Sequence, residues 1–158
     1  MKKTNAIRLL DQKKVIYEML EYEYDAENLS VDKIAKANGL ETPQVFKTLV
    51  AKGDKTGIVV AVIGGDKTLN FKFLAKQSGN KKIILIPVKE LLGLTGYIRG
   101  GCSPIGMKKN FPVFIDESAN DFEALYLNAG VRGLFIKIKF VDLVKVTRGV
   151  VALIADSS

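Results

Sequence analysis

The chain reads as a mixed α/β domain with helices packed on a mixed sheet, and three observations carry that reading. Two β-rich runs, Val45–Ala51 and Ile58–Ile63, flank Lys52-Gly-Asp-Lys-Thr-Gly57, a hairpin signal with a slightly lengthened turn. Short amphipathic segments with helix start and stop residues are interspersed among further apolar strand-like runs. The 158 residues carry no internal repeat, no low-complexity stretch and no long linker, so residues 1–158 read as one domain with one substantial core.

Taken in order, Ala6-Ile-Arg-Leu-Leu10 with Val15 and Ile16 predicts a helix ending near Lys13-Lys14. Tyr17 to Tyr24 alternates loosely, as a strand does. Ser30 is placed to cap a helix over Val31–Ala37, with Asp32 in its first turn and Gly39 as its stop. Thr42-Pro43 interrupts the chain before the hairpin. Gly64-Gly65-Asp66 reads as a turn after a strand. Asn70 caps a helix through Gln77 that stops at Gly79, Lys82–Ile86 reads as a buried strand, and Pro87 opens a helix through Leu92. Strands are expected at Pro112–Asp116, Ala124–Leu127 and Leu134–Lys139, with Gly130-Val-Arg-Gly133 turning between the last two. Val141–Val146 reads as a helix, and Val150–Ala155 as a closing strand or helix.

Composition narrows the chemistry. There is no histidine and a single cysteine, Cys102, so Ser-His-Asp and Cys-His nucleophilic arrangements are excluded from a single chain. The usual nitrogen and sulfur ligand sets for zinc are excluded with them, and no carboxylate cluster points to magnesium, so neither metal nor cofactor is expected. No apolar run approaches the roughly 20 residues of a bilayer span. Met1–Arg8 lacks an apolar signal core, and one cysteine suits a reducing compartment, so the reading is cytoplasmic.

The net charge of +7 is unevenly spread. Residues 1–41 carry seven Lys/Arg against eight Asp/Glu, residues 113–158 five against six, and residues 42–112 twelve against three. The middle segment is either a phosphate-reading surface or a lysine-rich solvated one. It also holds Gly96-Tyr-Ile-Arg-Gly-Gly-Cys-Ser-Pro-Ile-Gly106, the densest run of glycine in the chain. A Gly-Gly pair there needs either a positive φ or something lying close against bare backbone.

Single residues carry two readings each. Lys47 shares a strand face with Val45, Leu49 and Ala51, so it either snorkels outward or points a cation into a pocket. Cys102 is a small buried apolar residue, or a thiol activated by nearby cations. Ser103 sits in a Ser-Pro turn, where its hydroxyl bonds a ligand or the local backbone. Asp142 begins the last helix as a cap or a site residue, and Tyr22 is core or ligand contact.

Asn5-Ala-Ile-Arg-Leu-Leu10, Phe46-Lys-Thr-Leu49, the Gly96–Gly106 loop and Gly130-Val-Arg-Gly133-Leu together resemble the YbaK/EbsC family, free-standing relatives of the editing domain inserted in bacterial prolyl-tRNA synthetases. The resemblance runs from about residue 4 to residue 155. It implies a curved, barrel-like mixed sheet surrounded by helices, and deacylation of mischarged aminoacyl-tRNA, chiefly cysteine on tRNA(Pro) and also on tRNA(Cys). By the resemblance Lys47 anchors the tRNA's terminal phosphate or ribose, and the Gly100 and Gly101 amides face the aminoacyl carbonyl as an oxyanion hole does. Tyr22, Thr48 and Asp142 line the pocket, with Ser103 and Asn128 as further substrate-binding positions. Thr48 after Lys47, with no histidine anywhere, resembles the cysteine-removing branch, in which the substrate's own sulfur attacks its ester; such an enzyme is classed as a hydrolase or a lyase. The implied partners are cysteine-charged tRNA(Pro) and prolyl-tRNA synthetase in a ternary complex with a monomer of this chain. Removal of alanine from tRNA(Pro) or editing of broader misacylated tRNAs, a silent tRNA- or synthetase-binding module, and a small-molecule oxyanion binder with a merely solvated basic segment are the alternatives.

Overall fold

The computed structural model describes residues 3–157, so Met1, Lys2 and Ser158 lie outside it, and with them the first two residues of the segment read for an export signal. The elements run α1 (Asn5–Gln12), β1 (Tyr17–Glu21), α2 (Val31–Ala37), β2 (Phe46–Gly53), β3 (Gly57–Gly64), β4 (Lys67–Leu69), α3 (Phe71–Ser78), β5 (Ile83–Leu85), α4 (Val88–Thr95), β6 (Val113–Asp116), β7 (Ala124–Asn128), β8 (Leu134–Lys139), α5 (Phe140–Thr147), β9 (Val150–Ala152) and β10 (Ala155–Ser157). Short 3-10 turns at Thr42–Gln44 and Glu117–Asp121 complete the chain.

The expected hairpin forms, with β2 and β3 antiparallel from Phe46↔Gly64 to Gly53↔Gly57. It is the centre of a five-stranded mixed sheet in the order β5-β2-β3-β6-β9, in which β6 and β9 run parallel to their neighbours. A second sheet is β1-β8-β7 and a third pairs β10 with β4. The mixed α/β domain expected is present, with its strands in three ladders. The first two ladders touch at a single parallel bridge, Val45↔Tyr126.

Alternation along β3 shows why the core is divided. Val60 and Val62 face the larger cluster, which takes in Ala6, Ile7 and Leu10 of α1, Leu125 and Leu127 of β7, Ile136 and Ile138 of β8, and Leu143 of α5. Val59, Ala61 and Ile63 face the other way, against Leu74 and Ala75 of α3 and Ile154. A third cluster of Tyr22, Ile34, Ala35, Val45 and Phe135 holds α2 against β8.

Local chemistry explains the ends of the elements. Asn70 accepts from the Phe73 amide at the start of α3, and Gly79 closes that helix in the left-handed region at φ +80°. Thr4 caps α1 through the Ile7 amide and donates to the Ala129 carbonyl, fixing α1 to the β7–β8 turn. Ser30 precedes α2 as expected but makes no side-chain capping bond.

One expectation fails for a tertiary reason, and others differ in extent. β5 is an edge strand with Ile84 and Leu85 exposed, so its apolar run is not a mark of burial. β1 ends at Glu21, short of the expected Tyr24, where its partner β8 begins at Leu134, although the Tyr22 amide still reaches the Gly133 carbonyl in the same register. The chain closes in strands, one of the two forms expected for Val150–Ala155, as β9 and β10; these and β4 are three residues long, too short to show a period of two.

Candidate functional site

β2 pairs with β3 along its whole length, but its other edge is covered only in part. Its first residues lie beside β7 at the Val45↔Tyr126 bridge, whereas β5 pairs only with Ala51–Gly53. Between those contacts the strand borders a cleft of about 470 Å³, and four consecutive residues line it: Phe46, Lys47, Thr48 and Leu49. The other walls come from α2 and the turn before it, from Tyr22 and Phe135, and from Arg99 and Gly100 of the glycine loop.

Lys47 is half-buried at the cleft, and no hydrogen bond or ion pair among the described residues engages its ammonium. Burial lowers its pKa from the ordinary lysine value, while the negative charge of Asp66 pulls it back up. Of its two sequence readings, the cation at a pocket fits this placement. Such a group is suited to an incoming anion, which would restore the solvation that burial removed.

The glycine loop is tied down by one side chain. Asn128, at the end of β7, accepts through Oδ1 from the amides of Gly130 (2.7 Å) and Val131 (3.0 Å). Those two donors fix the orientation of the amide, leaving Nδ2 to donate to the Gly100 carbonyl at 2.8 Å and the Tyr22 hydroxyl at 2.9 Å. The Tyr22 hydroxyl also lies 3.4 Å from the Gly100 carbonyl, and its ring stacks on Phe135 with centroids 4.0 Å apart. Burial raises the pKa of the Tyr22 phenol, so it stays a neutral hydrogen-bonding group. With its polar atoms committed to the protein, Asn128 holds the loop rather than reaching into the cleft.

The Gly-Gly pair needs both of the reasons open at the sequence level, one for each residue. Gly100 sits at φ +83°, a conformation that favours glycine. Gly101 has an ordinary φ, but a Cβ there would lie 3.1 Å from the Arg132 amide nitrogen and 3.2 Å from the Val131 Cα. The close approach is made by the protein itself. Gly101→Ala is accordingly expected to push the two loops apart, at a cost of about 1–3 kcal/mol in chemical denaturation; an unchanged midpoint would show that the loops can yield.

The expected residues divide into two groups. Tyr22, Lys47, Thr48, Gly100 and Asn128 come together at the cleft. Gly101, Ser103 and Asp142 do not. The Gly101 amide already donates to the Ile98 carbonyl at 2.9 Å, which removes it as a free donor. Ser103 is fully buried, and its Oγ accepts from the Ile105 amide at 3.2 Å. Asp142 lies on α5 beside a different cleft, with Lys13, Lys14 and Lys145.

Residues the sequence reading passed over also line the cleft: Leu29, Arg99 and Phe135. Phe135 follows Gly133-Leu directly, and its place on β8 beside Tyr22 was its only signal. Arg99 stood inside the glycine loop without an assigned role. Cys102 borders the cleft but is almost wholly buried, and burial pushes its thiol up to about 12. A thiol so held is protonated at neutral pH and makes a poor nucleophile. Among the described residues no three His, Cys, Asp or Glu side chains gather as metal ligands, and no helix is long and apolar enough to cross a membrane.

The mixed α/β fold with this cleft is that of an aminoacyl-tRNA editing domain. Residues 26–146 match that family, and the chain belongs to it. It is 47% identical over 147 residues to the Enterococcus faecalis protein named "Putative Cys-tRNA(Pro)/Cys-tRNA(Cys) deacylase EbsC", covering 93% of this chain and 90% of that one. It is 30% identical over 130 residues to the proline–tRNA ligase of Pelobacter propionicus, covering 76% of this chain and 23% of the ligase. Among solved structures, "hypothetical protein APE2540" superposes with a TM-score of 0.87 at 24% identity, over 97% of this chain and 100% of that one. A structure described as "a putative trans-editing enzyme for prolyl tRNA synthetase" superposes with a TM-score of 0.83 at 21% identity, over 99% and 100%. These two establish the shared fold.

Proposed function

We propose that this protein removes cysteine from mischarged tRNA(Pro), acting in trans as a single deacylase domain. The observation that carries the reading is a cleft with a positioning cation and a rigid glycine loop but no activated nucleophile of its own. Lys47 holds the terminal phosphate or ribose of the tRNA. The amide of Gly100, which has no protein partner among the described residues, faces the aminoacyl carbonyl.

The missing nucleophile comes with the substrate. Its thiol sulfur attacks its own ester carbonyl, the new C–S bond closes a cyclic thioester, and the C–O bond to the ribose breaks. The thiol proton ends on the departing ribose oxygen, so no enzyme histidine is needed. The protein contributes orientation and stabilisation of the developing oxyanion. The name of the Enterococcus relative supports cysteine as the amino acid removed and tRNA(Cys) as a second carrier. The match to part of a proline–tRNA ligase supports cooperation with that synthetase.

The deciding experiment incubates the purified protein with Cys-, Ala- and Pro-charged tRNA(Pro) and follows each ester. Cysteine is expected to be lost fastest. Preferential loss of alanine would overturn the substrate assignment, and no turnover of any ester would overturn the enzymatic one. Cys102→Ser is expected to keep deacylating, whereas a loss above about a hundredfold would place the nucleophile on the protein. Because only the protonated lysine holds an anion, kcat/KM is expected to fall as pH rises through the Lys47 pKa. That limb should lie below the value near 10.4 of a free lysine, and a profile flat through that range would remove Lys47 from the site.

A further inference from the structure

β5 leaves the central sheet one pair too early. The Ile86 amide donates to the Val50 carbonyl at 3.1 Å, and the Asp54 amide to the Lys82 carbonyl at 3.1 Å, so Val50 and Asp54 turn their main-chain groups toward β5. With a period of two, Thr48 turns its N–H and C=O to the same side. The β2–β5 register pairs Lys52 with Ile84, and continuing it puts Val50 opposite Ile86 and Thr48 opposite Val88. But Val88 is the first residue of α4, behind Pro87, so the chain that would have paired Thr48 has turned into a helix.

On its other flank Thr48 meets β3 through the Thr48↔Val62 pair, in which these main-chain groups point away from the partner. The bridge to β7 lies back at Val45 and extends no further along β2. By register the Thr48 N–H and C=O thus point to a side on which no strand ladder covers them, and Thr48 borders the cleft. Unpaired strand edges are templates for another extended segment.

We propose that the aminoacyl group itself fills this gap, pairing with Thr48 as a strand one residue long. This rests on the deacylase reading above. An esterified amino acid presents an α-ammonium and a carbonyl on either side of one Cα, as a strand residue does. In an antiparallel hydrogen-bonded pair, two residues exchange both main-chain bonds. The Thr48 N–H then donates to the acyl carbonyl oxygen, and the Thr48 C=O accepts from the α-ammonium.

The Thr48 amide supplies the second donor that Gly101 cannot, since the Gly101 amide is committed to Ile98. The contact is blind to the amino-acid side chain but fixes where that side chain goes. Residues directly opposite share a face, so it falls on the face of Phe46, Thr48 and Val50.

The test replaces Thr48 by its α-hydroxy-acid analogue, which exchanges the N–H for an oxygen and keeps the side chain. Because no strand ladder pairs with that N–H, the melting temperature is expected to stay put while kcat/KM for Cys-tRNA(Pro) falls by about tenfold or more. Separately, a non-hydrolysable 3′-amino-linked cysteinyl adenosine is added to the unmodified protein. The Thr48 amide is expected to gain protection from hydrogen exchange. If the unmodified protein deacylates Cys-tRNA(Pro) but the ester variant is as fast, or the amide gains no protection, the inference fails and the deacylase reading stands. If the unmodified protein deacylates nothing, both fall.

Discussion

Replacing Lys47 with alanine is expected to lower deacylation by about 10²–10³-fold, the usual effect of removing one preorganised charge or donor from a reacting centre. The fold is expected to survive intact, because the ammonium makes no hydrogen bond or ion pair with the described residues and its removal leaves no protein group unsatisfied. Burial without a partner disfavours the charged lysine, so the alanine variant should melt no lower than the parent. The measurement pairs single-turnover deacylation of Cys-tRNA(Pro) with a melting curve. Full activity, or a large drop in melting temperature, would show that Lys47 is a structural group and leave the cleft without its anchor.

Asn128→Ala is expected to act in the opposite way, through the fold first. The variant strips partners from the amides of Gly130 and Val131, the Gly100 carbonyl and the Tyr22 hydroxyl. Each buried group left unpaired costs about 1–3 kcal/mol, and water entering from the cleft recovers part of that. A net loss of about 3 kcal/mol, or a fall of roughly 6–12 °C in melting temperature, is the expected size. Deacylation falls with it, because Gly100 is released. Asn128→Asp separates the two halves of the knot: it keeps the acceptors for Gly130 and Val131 but loses the donor to Gly100. It is expected to recover part of the stability and little of the activity. Recovery of both together would mean that the Gly100 carbonyl needs no anchor.

The parts of this fold that could be read from the sequence are those governed by local chemistry. The Asn70 cap, the Gly79 stop and the β2–β3 hairpin depend on residues within a few positions of one another. The face of β5 and the end of β1 depend on what packs there, and nothing within Lys82–Ile86 or Tyr17–Tyr24 encodes it. The site divides along the same line. Lys47 stood out because a lysine on an apolar strand is anomalous, Thr48 came only with the resemblance, and both line the cleft. For Gly101 and Ser103 the sequence could not supply the partner of each polar group, the Ile98 carbonyl in one case and the Ile105 amide in the other. Asp142 was misplaced because its helix faces a different cleft. Phe135 was missed because a phenylalanine on a β-strand looks like ordinary core.

Cys102 has one more consequence. Thiol–disulfide exchange proceeds through the thiolate, and a thiol with a pKa of about 12 is ionised at neutral pH only to about one part in 10⁵. It is also the only sulfhydryl in the chain. Free cysteine and glutathione therefore meet no reactive thiol on this protein. Mixed disulfides and sulfenic acids should be scarce on it even where small thiols are abundant, and its catalytic state should not follow the redox balance of its surroundings.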